Sequence, residues 1–434
     1  MAQAMDRAKG VTEGTLGRVG DWLANQRHLM SVRDGVVAVL PLVLIGSLAL
    51  LIYDPPLLGS WKIWYDAAMA DWKPRILMVN VLTVGVIAVP ASFTVAYALA
   101  KRYEQDALSA GMMSVIAFLL ATRPPAQAVL VPGGKPEWAL ATAGLGAGGL
   151  FLAILVGLFT AEVQRFFITR RWHIRLPAGV PEVIYRSFAS VVPALAVFLV
   201  MWTVRYALQW DLLRGVELVL APIRIAGNSL PGVLGIVTID STIWLFGVHA
   251  VALLGVLKPV WLQFLTENQQ ALMAGLPIPN LAPREFYIWF VWMGGSGTAV
   301  ALAGHLLFCK SAMLRSVGRL GIVPVLFNIN EPILFGVPVV MNPLLAAPFL
   351  LAPLACGTIA WSAFHFGWVV KPHLDILWTL PAPIGGYLTT GGDWHALVVQ
   401  AVNLAVAAII YWPFVRAYDR KLLAQEAAGA AAAK

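Results

Sequence analysis

Residues 323–343 read VPVLFNINEPILFGVPVVMNP, and the polar cluster at their centre decides how the chain is interpreted. Asn328, Asn330 and Glu331 lie close together between two apolar stretches, and four prolines interrupt any regular helix there. Backbone groups freed in this way are tolerated at membrane depth only where protein or a water-filled cavity satisfies them. The stretch predicts a non-helical hairpin that presents amides and a carboxyl to a cavity. The competing interpretation is a cytoplasmic loop that happens to be apolar.

The composition of the whole chain is that of a membrane protein. Only 12% of its 434 residues are charged, whereas soluble domains usually carry about 25%. The mean hydropathy is +0.77. The net charge of +8 would suggest nucleic-acid binding in a soluble protein. Here the basic residues lie in short loops between apolar runs, where they set topology and contact lipid headgroups, so no nucleic-acid partner is expected.

Runs without acidic or basic residues predict the spanning helices, each of which needs about 20 residues. They are residues 35–53, 76–100, 107–122, 138–161, 187–204, 225–257 (interrupted by Asp240), 286–309, 332–370 and 396–415. Because 332–370 is long enough for a re-entrant piece and a full helix, we estimate about ten spans. The predicted fold is an all-α polytopic membrane protein with re-entrant hairpins, since prolines and glycines interrupt residues 322–345 and 376–392.

The distribution of charge predicts the topology and the domains. Residues 1–33 mix both charge signs and lack the apolar core of a signal peptide. Lysines and arginines at both ends favour cytoplasmic termini in a multi-pass protein of the bacterial plasma membrane. Arg205–Ile225 is amphipathic and predicts an interfacial helix. We therefore expect a cytoplasmic segment (1–33), an N-terminal domain (34–210), a C-terminal domain (211–420) and a cytoplasmic tail (421–434).

Three further features lie in apolar surroundings. His249, preceded by Trp244 and Gly247, can hydrogen-bond or accept a proton, although a lone histidine is more often structural. The turn formed by Gly294, Gly295, Ser296 and Gly297 permits close backbone approach or close helix packing, and it lacks the lysine of a phosphate-binding loop. Trp378, beside a proline-broken segment, could contact a sugar ring or belong to the interfacial aromatic belt.

The cysteines give no sign of a disulfide framework or of a metal site. Cys309 and Cys356 both lie in apolar runs, without a CxxC spacing or a histidine at ligand spacing. We read them as small buried hydrophobic residues. No cofactor and no metal are expected.

Five stretches together resemble the IIC permeases of the phosphotransferase system, in the cellobiose/diacetylchitobiose/lactose family. They are FNINEPILFGVPVVMNP, SVRDGVVAVLPLVLIGS, LPAGVPEVIYRSFASVVP, WLFGVHA and TLPAPIGGYLTTGGDW, and the resemblance covers about residues 20–420. One position departs from the family pattern, because Ala250 stands where the family usually has glycine after the histidine. The pocket, and hence the substrate preference, could differ there.

The resemblance implies a homodimer formed by the N-terminal domain and a disaccharide-binding C-terminal domain that moves across the membrane. It implies that Glu331 and His249 lie at the sugar, with Glu331 near the C6 hydroxyl that a separate phosphorylated IIB subunit phosphorylates on the cytoplasmic side. The candidate substrate-binding residues are Asn328, Asn330, Trp244, Gly247, Gly294, Gly295, Ser296 and Trp378. Whether this transport subunit counts as an enzyme is left open, because transfer is completed by IIB.

Two other functions compete with this one. In a proton-coupled sugar symporter, Glu331 and His249 would form a proton relay, and the cell would receive free sugar rather than sugar phosphate. A membrane-embedded hydrolase would need a nucleophile–base pair or metal ligands, and the chain contains no HExxH or GxSxG motif.

Overall fold

The computed structural model describes residues 26–55, 59–129, 134–174, 176–177, 180–246, 250, 254–337, 339 and 342–432. Helices dominate this part of the chain. Before residue 210 they are α1 (Arg27–Tyr53), α2 (Ser60–Ala68), α3 (Lys73–Thr83), α4 (Ala88–Arg102), α5 (Ala107–Ala121), α6 (Leu150–Thr169), α7 (Glu182–Ala189) and α8 (Val191–Trp202).

After residue 210 the described chain contains further helices. They are α9 (Leu212–Asn228), α10 (Leu230–Leu245), α11 (Lys258–Met273), α12 (Arg284–Phe286), α13 (Ala299–Leu307), α14 (Ala312–Leu326), α15 (Glu331–Gly336), α16 (Pro343–His365), α17 (Ala382–Thr389) and α18 (His395–Ala432). A π-helix, Tyr287–Val291, follows α12 directly.

Several helices are long and apolar enough to cross a membrane. Within the described ranges there are five: Arg27–Tyr53, Ala147–Thr169, Ile184–Ala207, Leu344–His365 and His395–Glu426. Two pairs bent at a short break raise the number to seven, with a bend of 44° before α4 and of 77° between α9 and α10. The polytopic all-α prediction is confirmed, and the estimate of ten spans stays a prediction.

The described residues divide into two compact units. The first draws on Met1–Gly46, Met78–Pro222 and Gly255–Thr266, and the second on Ser47–Leu77, Ile223–Leu254 and Glu267–Lys434. The sequence placed a single boundary near residue 210, whereas this division is discontinuous along the chain. The functional domains proposed from the sequence stay a prediction.

The first unit is built around α4, whose buried face consists mainly of small residues. A Cβ on Gly157 of α6 would lie 3.0 Å from the carbonyl oxygen of Ser92, so the two helix backbones approach closely. The same carbonyl accepts a 2.9 Å hydrogen bond from the Ser114 hydroxyl of α5. Small residues at helix contacts and interhelical hydrogen bonds are how helices associate in lipid, where the hydrophobic effect gives little drive.

A short β-hairpin interrupts the first unit and corrects the sequence interpretation of residues 138–161. Strand β1 (Ala126–Ala128) pairs antiparallel with β2 (Glu137–Ala139), and Ala126 lies opposite Ala139. Trp138, assigned to the start of an apolar run, is in β2, and the α-helix begins only at Leu150. A Cβ on Gly149 would lie 2.0 Å from the Gly144 carbonyl oxygen, so this glycine-rich stretch turns tightly instead of extending the helix.

The amphipathic segment after residue 205 begins later than the sequence predicts. A π-helical turn, Thr203–Ala207, and a left-handed Gln209 (φ 54°) precede α9. At the bend into α10 the Ser229 hydroxyl accepts a 3.1 Å hydrogen bond from the Gly232 N–H and caps the new helix.

Buried amides hold the irregular segments of the second unit. The Asn268 side chain donates to the carbonyls of Asn280 (2.8 Å) and Pro372 (2.7 Å) and accepts from the Asn280 N–H at 2.8 Å. Further along, the Thr389 hydroxyl donates to the Leu374 carbonyl at 2.6 Å. These bonds fix the non-helical chain that leads to Trp378, as buried backbone groups require partners.

Asp393 lies at the end of the chain segment that connects α17 to α18. Burial alone would raise the pKa of Asp393, but hydrogen bonds from the backbone N–H groups of Val370 and His395 and from the His395 ring hold it below its usual value. The Val370 and His395 backbone bonds measure 2.8 and 3.0 Å. The turn is therefore tied to an ionised carboxylate at neutral pH.

Candidate functional site

The glycine-rich turn of residues 294–298 connects the π-helix to α13. Gly294, Gly295, Gly297 and Thr298 all have left-handed backbones, with φ of 79°, 98°, 78° and 54°. A Cβ on Gly297 would lie 2.1 Å from the Phe349 ring, and one on Gly295 would lie 2.6 Å from Cγ of Asn330. Of the two interpretations that the sequence allowed, the structure favours close backbone approach, because only glycine fits both the conformation and the space.

Asn328 joins this turn to the segment that carries Trp378. Its Oδ1 accepts from the Gly294 N–H at 2.9 Å. Its Nδ2 donates to the carbonyls of Trp378 (2.7 Å) and Leu380 (3.1 Å). Both amide hydrogens of Asn328 are therefore used by the protein backbone. Asn328 itself has a left-handed backbone, with φ 62°, a conformation that asparagine tolerates better than most residues.

Residues 328–330 are non-helical, as the sequence predicts, but the chain is helical on both sides of them, which the sequence did not predict. Helix α14 continues through Pro324 to Leu326, and Glu331 opens the short helix α15. Pro332 does not break α15 because it lies in the first turn, where a missing N–H removes no intrahelical hydrogen bond. The helix starts where the prolines had suggested irregular chain.

Asn330 connects the cluster to the glycine-rich turn. Its side chain is 4% exposed, and its Nδ2 donates to the Ser296 carbonyl at 3.1 Å. Ser296 in turn donates its hydroxyl to Oδ1 of Asp240 on α10, at 3.1 Å. One chain of hydrogen bonds thus runs from α10 through the turn to the residue before Glu331.

A cleft of about 570 Å³ opens beside this assembly, which is within the usual size range of small-molecule pockets. It is lined by Asn328, Ile329, Glu331, Pro332, Phe335 and Trp378. The rings of Phe335 and Trp378 are 61% and 45% exposed, so both present an apolar surface to an occupant. Glu331 contributes the acidic group of the lining.

The other predicted site residues lie around this cleft or outside the described chain. The Trp244 ring is buried, and its centroid lies 6.5 Å from that of Phe335. Gly294, Gly295, Ser296 and Asn330 form the glycine-rich turn and its contacts. Gly247 and His249 fall outside the residues that the structure describes.

Sequence reasoning missed several polar residues that support the site. The Gln400 amide donates to the Trp289 carbonyl at 2.9 Å, and the Asn403 amide donates to the Phe290 carbonyl at 2.7 Å, so α18 holds the π-helix before the turn. Both lie in a run otherwise free of charge, where a polar side chain is costly and so indicates a specific contact. That cost is the signal that could have identified them.

The sequence analysis also did not predict a group of buried ion pairs. The Arg284 guanidinium, at the start of α12, binds Oε1 of Glu285 at 3.3 Å and Oδ1 of Asp375 at 3.0 Å. Both carboxylate side chains are 3% exposed. No group of three or more His, Cys, Asp or Glu that could hold a metal occurs among the described residues.

Comparison with known proteins shows the family. The model of the family "Phosphotransferase system, EIIC" matches residues 33–353. The chain belongs to this family. This EIIC chain is 34% identical over 435 residues to the lichenan permease IIC component of Bacillus subtilis (strain 168), with 97% of this chain and 96% of the relative covered. It is 37% identical over 442 residues to the cellobiose-specific EIIC component of Geobacillus stearothermophilus, with 98% and 97% covered.

A solved structure agrees with this assignment. The crystal structure of the transporter ChbC, the IIC component from the N,N'-diacetylchitobiose-specific phosphotransferase system, superposes with a TM-score of 0.87 at 33% identity, covering 96% of this chain and 99% of that one. The EIIC chain is a multi-pass membrane permease of this system. Its family implies a sugar substrate and a cooperating IIB component, and it does not favour the proton-coupled symporter.

Proposed function

We propose that this EIIC chain binds a disaccharide of the cellobiose, diacetylchitobiose or lactose type and carries it across the bacterial plasma membrane by alternating access. The observation that carries the proposal is the cleft in which Glu331 lies beside the exposed rings of Phe335 and Trp378. A sugar ring offers hydroxyl donors at its edge and apolar C–H groups on its faces, which suit a carboxylate and aromatic rings respectively. The names of the similar permeases point to the same substrate class.

Each predicted residue takes a role in this proposal. Glu331 accepts hydrogen bonds from sugar hydroxyls, and Trp378 and Phe335 contact the apolar ring faces. Trp244 packs against Phe335 and so supports its position. His249, with Gly247 beside it, contributes further hydrogen bonds to the sugar. The remaining candidates are Asn328, Asn330, Gly294, Gly295 and Ser296, which position the cleft because much of their hydrogen-bonding capacity is used within the protein.

We propose that the sugar is phosphorylated while it occupies the same cleft. Glu331 orients the C6 hydroxyl and accepts its proton as the sugar oxygen bonds to phosphorus. The S–P bond of a phosphocysteine on a separate IIB subunit breaks, and the cysteine leaves as a thiolate. Such transfer depends mainly on positioning and charge stabilisation, so the permease needs no phosphate loop of its own. Cys309 and Cys356 are both buried, which leaves the phosphocysteine to the partner. The proposal includes a homodimer formed through residues 34–210, a moving substrate domain at 211–420 and cytoplasmic termini.

Uptake of radiolabelled disaccharides by cells that express the permease tests this function. With the general phosphotransferase enzymes present, we expect a member of the cellobiose, diacetylchitobiose or lactose class to accumulate as its phosphate. Deletion of those enzymes should abolish uptake. Accumulation of free sugar that survives the deletion but collapses with the proton gradient would overturn the proposal in favour of the symporter.

Replacing Trp378 by alanine is expected to weaken sugar binding by roughly tenfold, because an aromatic contact contributes about 0.5–1.5 kcal/mol beyond the buried area. The backbone carbonyl of residue 378, which accepts from Asn328, remains in the variant. The measurement is the equilibrium Kd of the purified protein for diacetylchitobiose and cellobiose.

Trp368→Ala is the matched control, since Trp368 is also exposed (66%) in this unit but does not line the cleft. Trp378→Phe should recover part of the affinity. Equal losses in Trp368→Ala and Trp378→Ala would contradict a specific ring contact at the cleft.

A further inference from the structure

We propose that Asp240 is a positioning residue of the sugar site, which acts through the Ser296 hydroxyl on the glycine-rich turn. The inference rests on the proposed sugar-binding function and adds a residue outside the cleft to it. Asp240 lies within α10 and is 2% exposed, and it accepts the Ser296 hydroxyl on Oδ1 at 3.1 Å.

The position of Asp240 on its helix is otherwise an apolar packing position. The buried face of α10 consists of Val233, Val237, Asp240, Ser241 and Trp244, at helical spacing. Oδ2 of Asp240 has no hydrogen-bond partner among the described residues. A carboxyl group at a packing position in an apolar helix carries a free-energy cost, and an aliphatic side chain at this position would fill the space better. Its contact with Ser296 is therefore the feature that distinguishes this residue from a packing residue.

The turn that Asp240 contacts needs side-chain restraint. Residues 294–298 contain three left-handed glycines, and glycine adopts many backbone conformations at similar energy. Side chains from four places in the fold hold this turn: Asn328 on the Gly294 N–H, Asn330 on the Ser296 carbonyl, Tyr411 on the Gly297 carbonyl, and Asp240 on the Ser296 hydroxyl. Of these, Asp240 is the one that lies on α10.

The hydrogen bond between Ser296 and Asp240 connects α10 to the residues of the cleft. Ser296 binds Asp240 through its hydroxyl and Asn330 through its carbonyl, and Asn330 immediately precedes Glu331. One turn further along α10, Trp244 packs against Phe335 of the cleft lining. Helix α10 thus reaches the site at two points, and loss of the Asp240 contact frees the turn against which Asn330 is held.

Equilibrium binding of diacetylchitobiose, cellobiose and lactose to the purified full-length protein tests the inference. Asp240→Leu and Ser296→Ala should each raise the Kd by roughly three- to tenfold, the effect of one lost hydrogen bond. The double variant should bind no more weakly than the weaker single variant, because both changes remove the same contact. Asp240→Asn should stay near wild type, since its amide oxygen can accept the same hydroxyl.

Ser241→Ala is the matched control, because the Ser241 hydroxyl is buried on the same helix face without a partner among the described residues. It should bind like wild type. Wild-type affinity in Ser296→Ala, additive losses in the double variant, or an Asp240→Asn variant as weak as Asp240→Leu would overturn the inference. Ser296→Ala and Asp240→Asn keep the test valid if Asp240→Leu fails to fold. A wild-type protein that binds none of diacetylchitobiose, cellobiose and lactose would instead overturn the proposed function, and the role of Asp240 with it.

Discussion

The Glu331→Gln variant is expected to lose sugar phosphorylation by about 100- to 10,000-fold, the range that a positioned proton acceptor contributes. Glutamine keeps the shape of the side chain and the first turn of α15, but it cannot accept the proton of the C6 hydroxyl. Binding should weaken as well, by roughly 10- to 100-fold, because hydrogen bonds to a charged group contribute about 1.5–3 kcal/mol. Equilibrium binding and phosphorylation with IIB measure the two effects separately.

The matched control for this variant is Glu137→Gln in the exposed strand β2, which lies in the other unit. It should bind and phosphorylate sugar like wild type. Wild-type affinity and phosphorylation in Glu331→Gln would remove Glu331 from the mechanism. Weak binding with a normal rate at saturating sugar would limit Glu331 to substrate binding.

The Arg284→Met variant is expected to lose about 3–5 kcal/mol of stability, the usual cost of removing one partner from a buried ion pair. Arg284 is the cation that the structure places against the buried carboxylates of Glu285 and Asp375. Without it, two like charges remain in a poorly hydrated place. A large fall in the melting temperature of the detergent-solubilised protein is the expected readout.

Rescue and control variants make the stability prediction specific. The triple variant Arg284→Met, Glu285→Gln, Asp375→Asn should recover much of the loss, because no uncompensated charge remains. Arg186→Met is the control, since Arg186 pairs with Glu182 where both side chains are more than half exposed, and such pairs contribute about 0–1 kcal/mol. An Arg284→Met protein as stable as Arg186→Met would show that the buried ion pairs of Arg284 contribute little to the stability of the protein.

The amino-acid sequence alone determined that the protein is an all-α membrane protein. Scarce charge and the lengths of apolar runs suffice for that conclusion, because the cost of polar groups in lipid acts on every residue in the same way. The same cost marked Asn328, Asn330 and Glu331 as candidates, and the glycine spacing marked the turn at 294–298. Each of these signals is local and needs no knowledge of distant neighbours.

The tertiary structure decided the roles within that set. The amide of Asn328 is used by Gly294 and Trp378, which lie 34 and 50 residues away, so Asn328 holds together the cleft that it also lines. The chain is helical again directly after residues 328–330 because Pro332 falls in a first helical turn, which proline content alone does not reveal. The contacts of Asp240 and Arg284 likewise join distant segments. A sequence pattern shows that a polar residue in an apolar run carries a free-energy cost. Which group forms its hydrogen bond or ion pair is decided only when the fold brings remote segments together.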